Sequence, residues 1–320
     1  MNFEYFYKTR MPIDGAWPGE SACEVLISAY NSSDRVGAVF DKCSAPLKIW
    51  MVFPHYRYDK KDYPKSGEIF DSQEMEESEY LNSFFDKYSD QLIGKKISID
   101  ITGFMRPHLL FLVRLFQFHG ILKFDAFYSE PVRYQKKDDT RFSAGPVTLV
   151  RPIAGYEGVP ENDSSNDILL LGIGYDHELL KQVAEHKDFA KIITLWGFPS
   201  LRADMYQESV IRASKAPEAA FPTGKGKLRY YAPVNDPFST ASRIQEIVRV
   251  ESIKKPVTNL YLSPLSTKAQ ALGFALYVIY SGAKAISIIF PFADGYEQET
   301  SVGIAEIWRY TVELPSLGFT

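Results

Sequence analysis

Two turns of this chain combine a cation with the start of an apolar helix, and they lie half a chain apart. The first, in ISIDITGFMRPH, contains Arg106, and the second, in NLYLSPLSTKAQ, contains Lys268. A helix N-terminus binds anions through its free N–H groups, and a cation in the same turn adds a full charge. Phosphate is therefore the ligand that both turns favour.

The two turns belong to longer segments with the same pattern of strand, cationic turn, apolar helix, glycine and strand. When Arg106 is aligned on Lys268 without gaps, Gly120 falls on Gly282 and the apolar helices coincide, although almost no residues are identical. This pattern favours an internal duplication over ordinary repetition of αβ units. A duplication predicts two cationic turns that face each other across a pseudo-two-fold axis and form one composite ligand site.

Further candidates for a binding site follow the apolar runs, because ligands of parallel sheets bind beyond the carboxyl ends of the strands. The first half offers His55 after one run and Asp100, Thr102, Gly103 and Arg106 after another. The second half offers Gly174, Tyr175, Asp176, His177, Asn235, Asp236, Ser266, Thr267 and Lys268. Tyrosines near strand ends are suited to stacking on bases, namely Tyr56, Tyr58, Tyr128, Tyr134, Tyr175, Tyr231 and Tyr296.

Each of these motifs also has a purely structural interpretation. Thr102 is suited to cap a helix that leaves Arg106 on the surface, and Asp236 is suited to cap the helix after Pro237. The GIGYDH segment lacks the third glycine of a dinucleotide fingerprint, and the chain has neither a P-loop nor a G-x-S-x-G elbow. The five histidines and two cysteines are scattered, so we expect no metal site and no cofactor.

The order of apolar segments predicts a mostly parallel α/β fold with two Rossmann-like lobes, residues 1–156 and 157–320. Continuous apolar runs such as ILLLGI and AISIIF are typical of strands covered on both faces. The polar segment Glu157–Asp167 is the best linker candidate between the lobes.

Local periodicity gives the remaining elements of the first half. The spacing of Ala22, Val25, Leu26 and Ala29 predicts a helix in the segment Gly19–Ser32. Short apolar runs predict strands at Val36–Phe40 and Leu47–Phe53. An antiparallel hairpin is predicted between FDAFYSEPVRY and PVTLVRPI, with Lys136–Arg141 as its exposed turn.

Composition narrows the function classes. The chain has 320 residues, of which 45% are hydrophobic, so it can bury one large or two moderate cores. Its net charge of -4 argues against binding to duplex nucleic acid, whose partners carry an excess of Lys and Arg. Two cysteines, no signal-peptide pattern at the start and no apolar helix of membrane length predict a cytoplasmic, reduced protein.

The DITGFMRPH segment resembles the strand-to-helix turn of CRISPR-associated Rossmann fold (CARF) domains, in which a D-h-T-G-G-T-K-P run follows the fourth strand. Asp100, Thr102, Gly103 and Pro107 match in order, and Arg106 stands in place of the lysine. Phe104 and Met105 replace the second glycine and the threonine. The resemblance implies a pocket for a cyclic oligoadenylate, and the related SAVED domains carry two such halves in one chain.

Together these patterns predict a sensor for a nucleotide, most specifically a cyclic oligonucleotide or related second messenger of prokaryotic antiviral defence. Such a sensor acts with an effector protein, or it degrades its ligand as a slow, metal-independent phosphodiesterase of the ring nuclease type. The alternatives are a metabolic enzyme acting on a nucleoside or sugar phosphate, with Asp176 or Asp236 as general base, and a scaffold subunit of a defence complex. Neither ligand identity nor oligomeric state follows from the sequence.

Overall fold

The computed structural model describes residues 2–3, 6–134, 143–221, 229–296, 298 and 301–317. The chain divides into two compact units. We call Phe6–Ala144 with Gly295–Thr320 the first lobe, and Met1–Tyr5 with Gly145–Asp294 the second lobe. Each lobe is an α/β unit around a mostly parallel sheet, which confirms the predicted fold class.

The described residues form thirteen strands and eight α-helices. In chain order they are β1 (Tyr7–Met11), β2 (Val25–Ala29), α1 (Asp34–Lys42), β3 (Leu47–Met51), β4 (Glu68–Phe70), α2 (Glu77–Leu92), β5 (Ile97–Asp100), α3 (Arg106–Phe118), β6 (Lys123–Tyr134), β7 (Ser143–Pro152), β8 (Ile168–Gly172), α4 (His177–His186), β9 (Lys191–Gly197), α5 (Ala203–Ala213), α6 (Pro217–Ala220), β10 (Arg229–Ala232), α7 (Pro237–Lys254), β11 (Leu260–Pro264), α8 (Lys268–Ser281), β12 (Ile286–Tyr296) and β13 (Ser301–Glu313). Within this part of the chain, every helix is too short or too polar to traverse a bilayer.

The sheet of the first lobe has the strand order β4-β3-β2-β5-β6-β13-β1. Its first five strands pair in parallel, so their order along the chain is 3-2-1-4-5. β13 pairs antiparallel with both β6 and β1. In such a sheet the order reverses between the first and fourth parallel strands, here β2 and β5, and this topological switch point is where ligands of doubly wound sheets bind.

The sheet of the second lobe has the order β10-β9-β8-β11-β12-β7. The pairs from β10 to β12 are parallel and follow the same 3-2-1-4-5 order, with the switch point between β8 and β11. β5 and β11, which precede Arg106 and Lys268, are therefore both the fourth parallel strand of their sheet. The equivalence of these two strands, predicted from the sequence repeat, is confirmed.

Two local predictions in the first half are wrong. Val25–Ala29, expected in a helix, form β2, and Val36–Phe40, expected as a strand, lie in α1. All five residues of β2 are buried between β3 and β5, so the strand shows no alternation of apolar and polar residues. Without that alternation, periodicity cannot distinguish a fully buried strand from a buried helix.

The lobes also differ from a division of the chain at residue 156. β6 pairs with β5 and β13, whereas β7 lies beside β12, so the predicted hairpin between β6 and β7 does not form. Its expected turn, Lys136–Arg141, lies outside the described residues. Instead, β13 follows β12, the fifth parallel strand of the second lobe, and joins the sheet of the first lobe. In the same way, β7 follows β6, the fifth parallel strand of the first lobe, and joins the sheet of the second lobe. Such pairing is set by distant strands, which local sequence patterns do not encode.

The polar segment predicted as a linker, Glu157–Asp167, lies within the second lobe. The Asp167 carboxylate is buried there and accepts a hydrogen bond from the Asn259 side chain at 2.9 Å. It also accepts one from the Thr258 hydroxyl at 2.5 Å. These bonds tie the segment to the residues that precede β11.

Candidate functional site

The turn after β5 lies against the end of β2 at the switch point of the first lobe. Gly103 makes this approach feasible, because a Cβ atom on it would lie 2.1 Å from the carbonyl oxygen of Ala29. The Tyr56 hydroxyl, from the turn after β3, donates a hydrogen bond to the Gly103 carbonyl at 3.2 Å. The turns that follow three neighbouring strands therefore meet at one place on the carboxyl edge of the sheet.

The buried carboxyl group of Asp100 organises this turn. Asp100 is fully buried, and it accepts hydrogen bonds from the Thr102 N–H at 3.0 Å and from the Ser28 hydroxyl at 3.2 Å. Burial raises the pKa of Asp100 to about 6, although these hydrogen bonds act in the opposite direction. Asp100 therefore positions the turn and links β5 to β2.

Thr102 extends the same network to β6 and α1. Its hydroxyl oxygen accepts a hydrogen bond from the Ser129 N–H at 3.0 Å, and the Ser129 carbonyl accepts one from the Arg35 guanidinium at 2.6 Å. All three residues are buried. The cap interpretation of Thr102 is not what the structure shows, because α3 begins after Met105 and has no side-chain cap.

Arg106, His55 and His108 lie around this turn. Arg106 is the first residue of α3, and its charge acts to lower the pKa of Tyr56, which burial raises. The rings of His55 and His108 are 5.4 Å apart, and the ring of Tyr296 is 6.0 Å from that of His55. The structure thus brings the five first-half candidates together with His108 and with Tyr56 and Tyr296, two of the tyrosines that the sequence offers for base stacking.

The segment after β2 contributes a partly exposed aromatic surface. Tyr30 and Tyr58 have ring centroids 5.0 Å apart, and the Tyr58 hydroxyl accepts a hydrogen bond from the Ser32 N–H at 3.0 Å. The Tyr30 hydroxyl donates to the Asp62 carbonyl at 2.7 Å. Sequence reasoning overlooked Tyr30 because it assigned β2 to a helix, and a correct strand would have put Tyr30 directly after its end.

A glycine also approaches a backbone carbonyl closely at the switch point of the second lobe. Here the glycine follows the first parallel strand and the carbonyl follows the fourth, which is the reverse of the first lobe. A Cβ atom on Gly174, after β8, would lie 1.9 Å from the carbonyl oxygen of Leu265, after β11. The Thr267 hydroxyl then donates to the Val234 carbonyl in the turn after β10. Here too, turns from three strands meet at the carboxyl edge of the sheet.

The polar candidates of this second turn cluster act mainly as helix caps. Asp236 accepts hydrogen bonds from the N–H groups of Phe238 and Ser239 at 3.0 and 2.9 Å, which confirms its interpretation as a cap. Asp176 accepts one from the Leu179 N–H at 3.4 Å. Thr267 caps α8. Lys268 is the first residue of α8, just as Arg106 is the first residue of α3.

The remaining second-half candidates lie beside these caps. The Tyr175 hydroxyl donates to the Met205 carbonyl at 3.2 Å, and the Arg212 guanidinium lies 4.8 Å from the Tyr175 ring centroid. The imidazole of His177 is 3.3 Å from the Glu178 carboxylate. Asn235 is half-buried and Ser266 is buried, both at turns of the same edge.

A cluster of aromatic side chains continues this edge beyond β9 and β10. The ring centroid of Phe198 lies 5.5 Å from that of Tyr206 and 6.2 Å from that of Tyr231, and the two tyrosine rings are 6.3 Å apart. Phe198 is 53% exposed. Of these three, only Tyr231 could be predicted from the sequence, since the position of a tyrosine on α5 beside two strand ends is a tertiary feature.

Comparison with known proteins finds no matching family model and no matching curated protein. Among the described residues, no group of three or more His, Cys, Asp or Glu side chains is arranged to hold a metal ion.

We expect Gly103→Ala to destabilise the first lobe by about 1–3 kcal/mol, the usual range for overpacking, because the new methyl group meets the Ala29 carbonyl. Gly37→Ala in α1 is the matched control. A Cβ atom there meets nothing within 4 Å, and alanine favours a helix, so we expect a gain of about 0.5–1 kcal/mol. Urea unfolding measures both changes, and equal stability of Gly103→Ala and wild type would contradict the close approach.

The raised pKa of Asp100 predicts a pH dependence of stability. Because the folded-state pKa of about 6 exceeds the unfolded value, protonation favours the folded state. This contribution is full below about pH 4 and disappears as the pH rises through about 6, with a decrease of roughly 1–2 kcal/mol between pH 5 and 7.5. Asp100→Asn, which keeps the shape and does not titrate, should lack this decrease. Urea unfolding at both pH values tests this, and a parallel pH response of the two proteins would contradict it.

Proposed function

We propose that this protein is a nucleotide sensor, most specifically for a cyclic oligonucleotide or a related second messenger of prokaryotic antiviral defence. One observation carries the proposal. In each lobe, a cationic residue begins the helix that follows the fourth parallel strand, beside the switch point: Arg106 on α3 and Lys268 on α8. Phosphate groups are the common feature of ligands that suit this arrangement.

The aromatic side chains near these turns support a ligand with bases as well as phosphates. Tyr30 and Tyr58 adjoin the turn cluster of the first lobe, and Phe198, Tyr206 and Tyr231 adjoin that of the second. Stacking on an aromatic side chain contributes about 1–3 kcal/mol per base and tolerates any base. An inorganic or sugar phosphate has no base on which these rings could stack.

The resemblance of the DITGFMRPH turn to CARF domains supports the same class of ligand. In this chain the turn follows the fourth parallel strand of its lobe, which is its location in that family. Two Rossmann-like lobes in one chain match the organisation of SAVED domains. Phe104, which replaces the second glycine, is fully buried and packs 5.7 Å from Phe53.

Sensing is favoured over metabolic catalysis by the role of the second-lobe carboxylates. Asp176 and Asp236, the candidates for a general base, accept hydrogen bonds from the N–H groups of the helices that they cap. A sensor of this kind transmits binding to an effector protein.

One observation favours a second candidate, a slow ring-opening phosphodiesterase. His55, which follows β3, and His108, in the first turn of α3, have ring centroids 5.4 Å apart, and Arg106 begins the same helix as His108. Attack by a ribose 2′-hydroxyl on its own phosphate needs in-line geometry, a cation and a general base. Both imidazoles are, however, less than 10% exposed, with His55 at 7% and His108 at 2%, which limits their access to a bound phosphate.

Binding is tested with cyclic tri- and tetra-adenylate, beside cyclic di-AMP and AMP. We expect one of the cyclic ligands, at about 100 times its dissociation constant, to add roughly 2.7 kcal/mol to stability in a thermal-shift assay. Lys268→Met and Arg106→Gln should each weaken its binding by about 1.5–3 kcal/mol in calorimetry, since each removes a charged hydrogen-bond donor.

Lys181→Met is the control for these variants because it removes the same charge from the exposed face of α4. We expect Lys181→Met to bind like wild type. Lys268→Met is the cleaner of the two site variants, since Lys268 is half-buried whereas Arg106 is only 8% exposed. Failure of the whole ligand panel to bind, or wild-type affinity of Lys268→Met, would reject the proposal.

We further expect binding without rapid turnover. After hours of incubation with cyclic tetra-adenylate, chromatography should recover most of the ligand intact, because the buried imidazoles reach a phosphate poorly. Any ring opening should be unchanged by EDTA, since attack by the 2′-hydroxyl with Arg106 as the cation uses only side chains. Rapid hydrolysis that EDTA abolishes would contradict this view of the site.

A further inference from the structure

The two cysteines of the sequence come together in the first lobe. Cys23 precedes β2 and Cys43 follows α1, and their sulfur atoms lie 3.6 Å apart. The backbone holds them there, because the Cys23 N–H donates to the Ser44 carbonyl at 3.1 Å and the Cys43 N–H donates to the Val39 carbonyl at 3.0 Å. We propose that Cys23 and Cys43 are a thiol oxidation site that closes into a reversible disulfide.

Formation of the disulfide requires little movement of the two cysteine side chains. A disulfide has its sulfur atoms about 2.0 Å apart, so the two Sγ atoms must approach by about 1.5 Å, which side-chain rotation can supply. Both residues belong to the same core cluster, packed with Leu26, Val39 and Phe40. Cys23 and Cys43 are both buried, so a bond to a second chain is disfavoured against a bond within the pair.

The two thiols also differ in their chemistry. A hydrogen bond from the Cys43 thiol lowers the pKa of Cys23 to about 7, assisted by Ser98 and by the charge of Lys96, although burial acts against this. The same hydrogen bond and burial raise the pKa of Cys43. Cys23 is therefore the nucleophile of the pair, since the thiolate is the reactive form of cysteine.

With a peroxide as oxidant, the reaction has two steps. The Cys23 thiolate attacks one peroxide oxygen, the O–O bond breaks, and Cys23 becomes a sulfenic acid as hydroxide leaves and takes up a proton. The Cys43 sulfur then attacks the Cys23 sulfur, the S–O bond breaks, and the hydroxyl leaves as water with the Cys43 proton. Two thiols and one hydrogen peroxide thus give one disulfide and two waters, and a dithiol reductant restores both thiols.

Closure of this bond would confine the segment that borders the candidate site. The loop between the cysteines contains β2, α1 and the connection that carries Tyr30 and Ser32. It also contains Arg35, which donates to the Ser129 carbonyl in the network around Thr102. The oxidation site itself does not depend on the proposed ligand, so the two hypotheses can fail separately.

The test uses the full chain, treated with a small excess of hydrogen peroxide and then denatured and alkylated with iodoacetamide. We expect mass spectrometry to show the loss of two hydrogen atoms, no alkylated cysteine and a linked peptide pair containing Cys23 and Cys43. Dithiothreitol should restore two alkylated cysteines. A loop of about 20 residues predicts that the oxidised protein melts roughly 5–10 °C higher than the reduced one.

Cys43→Ser is the matched variant, because it leaves Cys23 without a resolving thiol. After peroxide treatment it should carry a sulfenic acid on Cys23 that dimedone traps, with no change in melting temperature on the scale seen in wild type. If Cys43→Ser does not fold, Cys43→Ala also removes the resolving thiol and should likewise show no such change in melting temperature. Two alkylated cysteines in peroxide-treated wild type, a disulfide between chains, or a sulfinic acid on Cys23 without the linked peptides would each overturn the proposal.

Discussion

The close approach of two turns at each switch point is the constraint on which the candidate site depends. In the first lobe the Gly103 Cα lies against the Ala29 carbonyl, and in the second the Gly174 Cα lies against the Leu265 carbonyl. Only a residue without a Cβ atom permits these contacts, because any side chain would overlap a backbone atom. They hold the first residues of α3 and α8 beside the ends of β2 and β8, and thereby fix where Arg106 and Lys268 enter the carboxyl edge.

In the first lobe a buried polar network reinforces that constraint. Asp100 joins β5 to β2 through Ser28, and Thr102 joins the turn to β6 through Ser129. Burying a carboxyl group is unfavourable, which the pKa of about 6 reflects, but its hydrogen bonds define a single arrangement of the three strand ends. Asp100 thus serves the shape of the turn, whereas the ligand contacts of the proposed function fall to Arg106, at the start of α3, and to the partly exposed Tyr30 and Tyr58.

Much of the fold and part of the site could be predicted from the sequence. Apolar runs of strand length between amphipathic helices determined the α/β class, and the repeat determined that β5 and β11 are equivalent strands. The first-half candidates do meet at one turn cluster, because the carboxyl ends of neighbouring parallel strands share one edge. The assignment of Asp236 as a cap followed from its place before Pro237, a local signal that needs no tertiary information.

Tertiary structure decided what local patterns leave open. The burial of β2 on both faces removed the alternation that identifies a strand, so its identity came from its neighbours β3 and β5. β7 pairs with β12, and β6 pairs with β13, and in both pairs the two strands lie far apart along the chain. His55 lies beside His108, and Cys23 lies beside Cys43, because the fold brings separate segments of the chain together. The sequence by itself determined which turns carry charge, whereas long-range packing determined which side chains share each site.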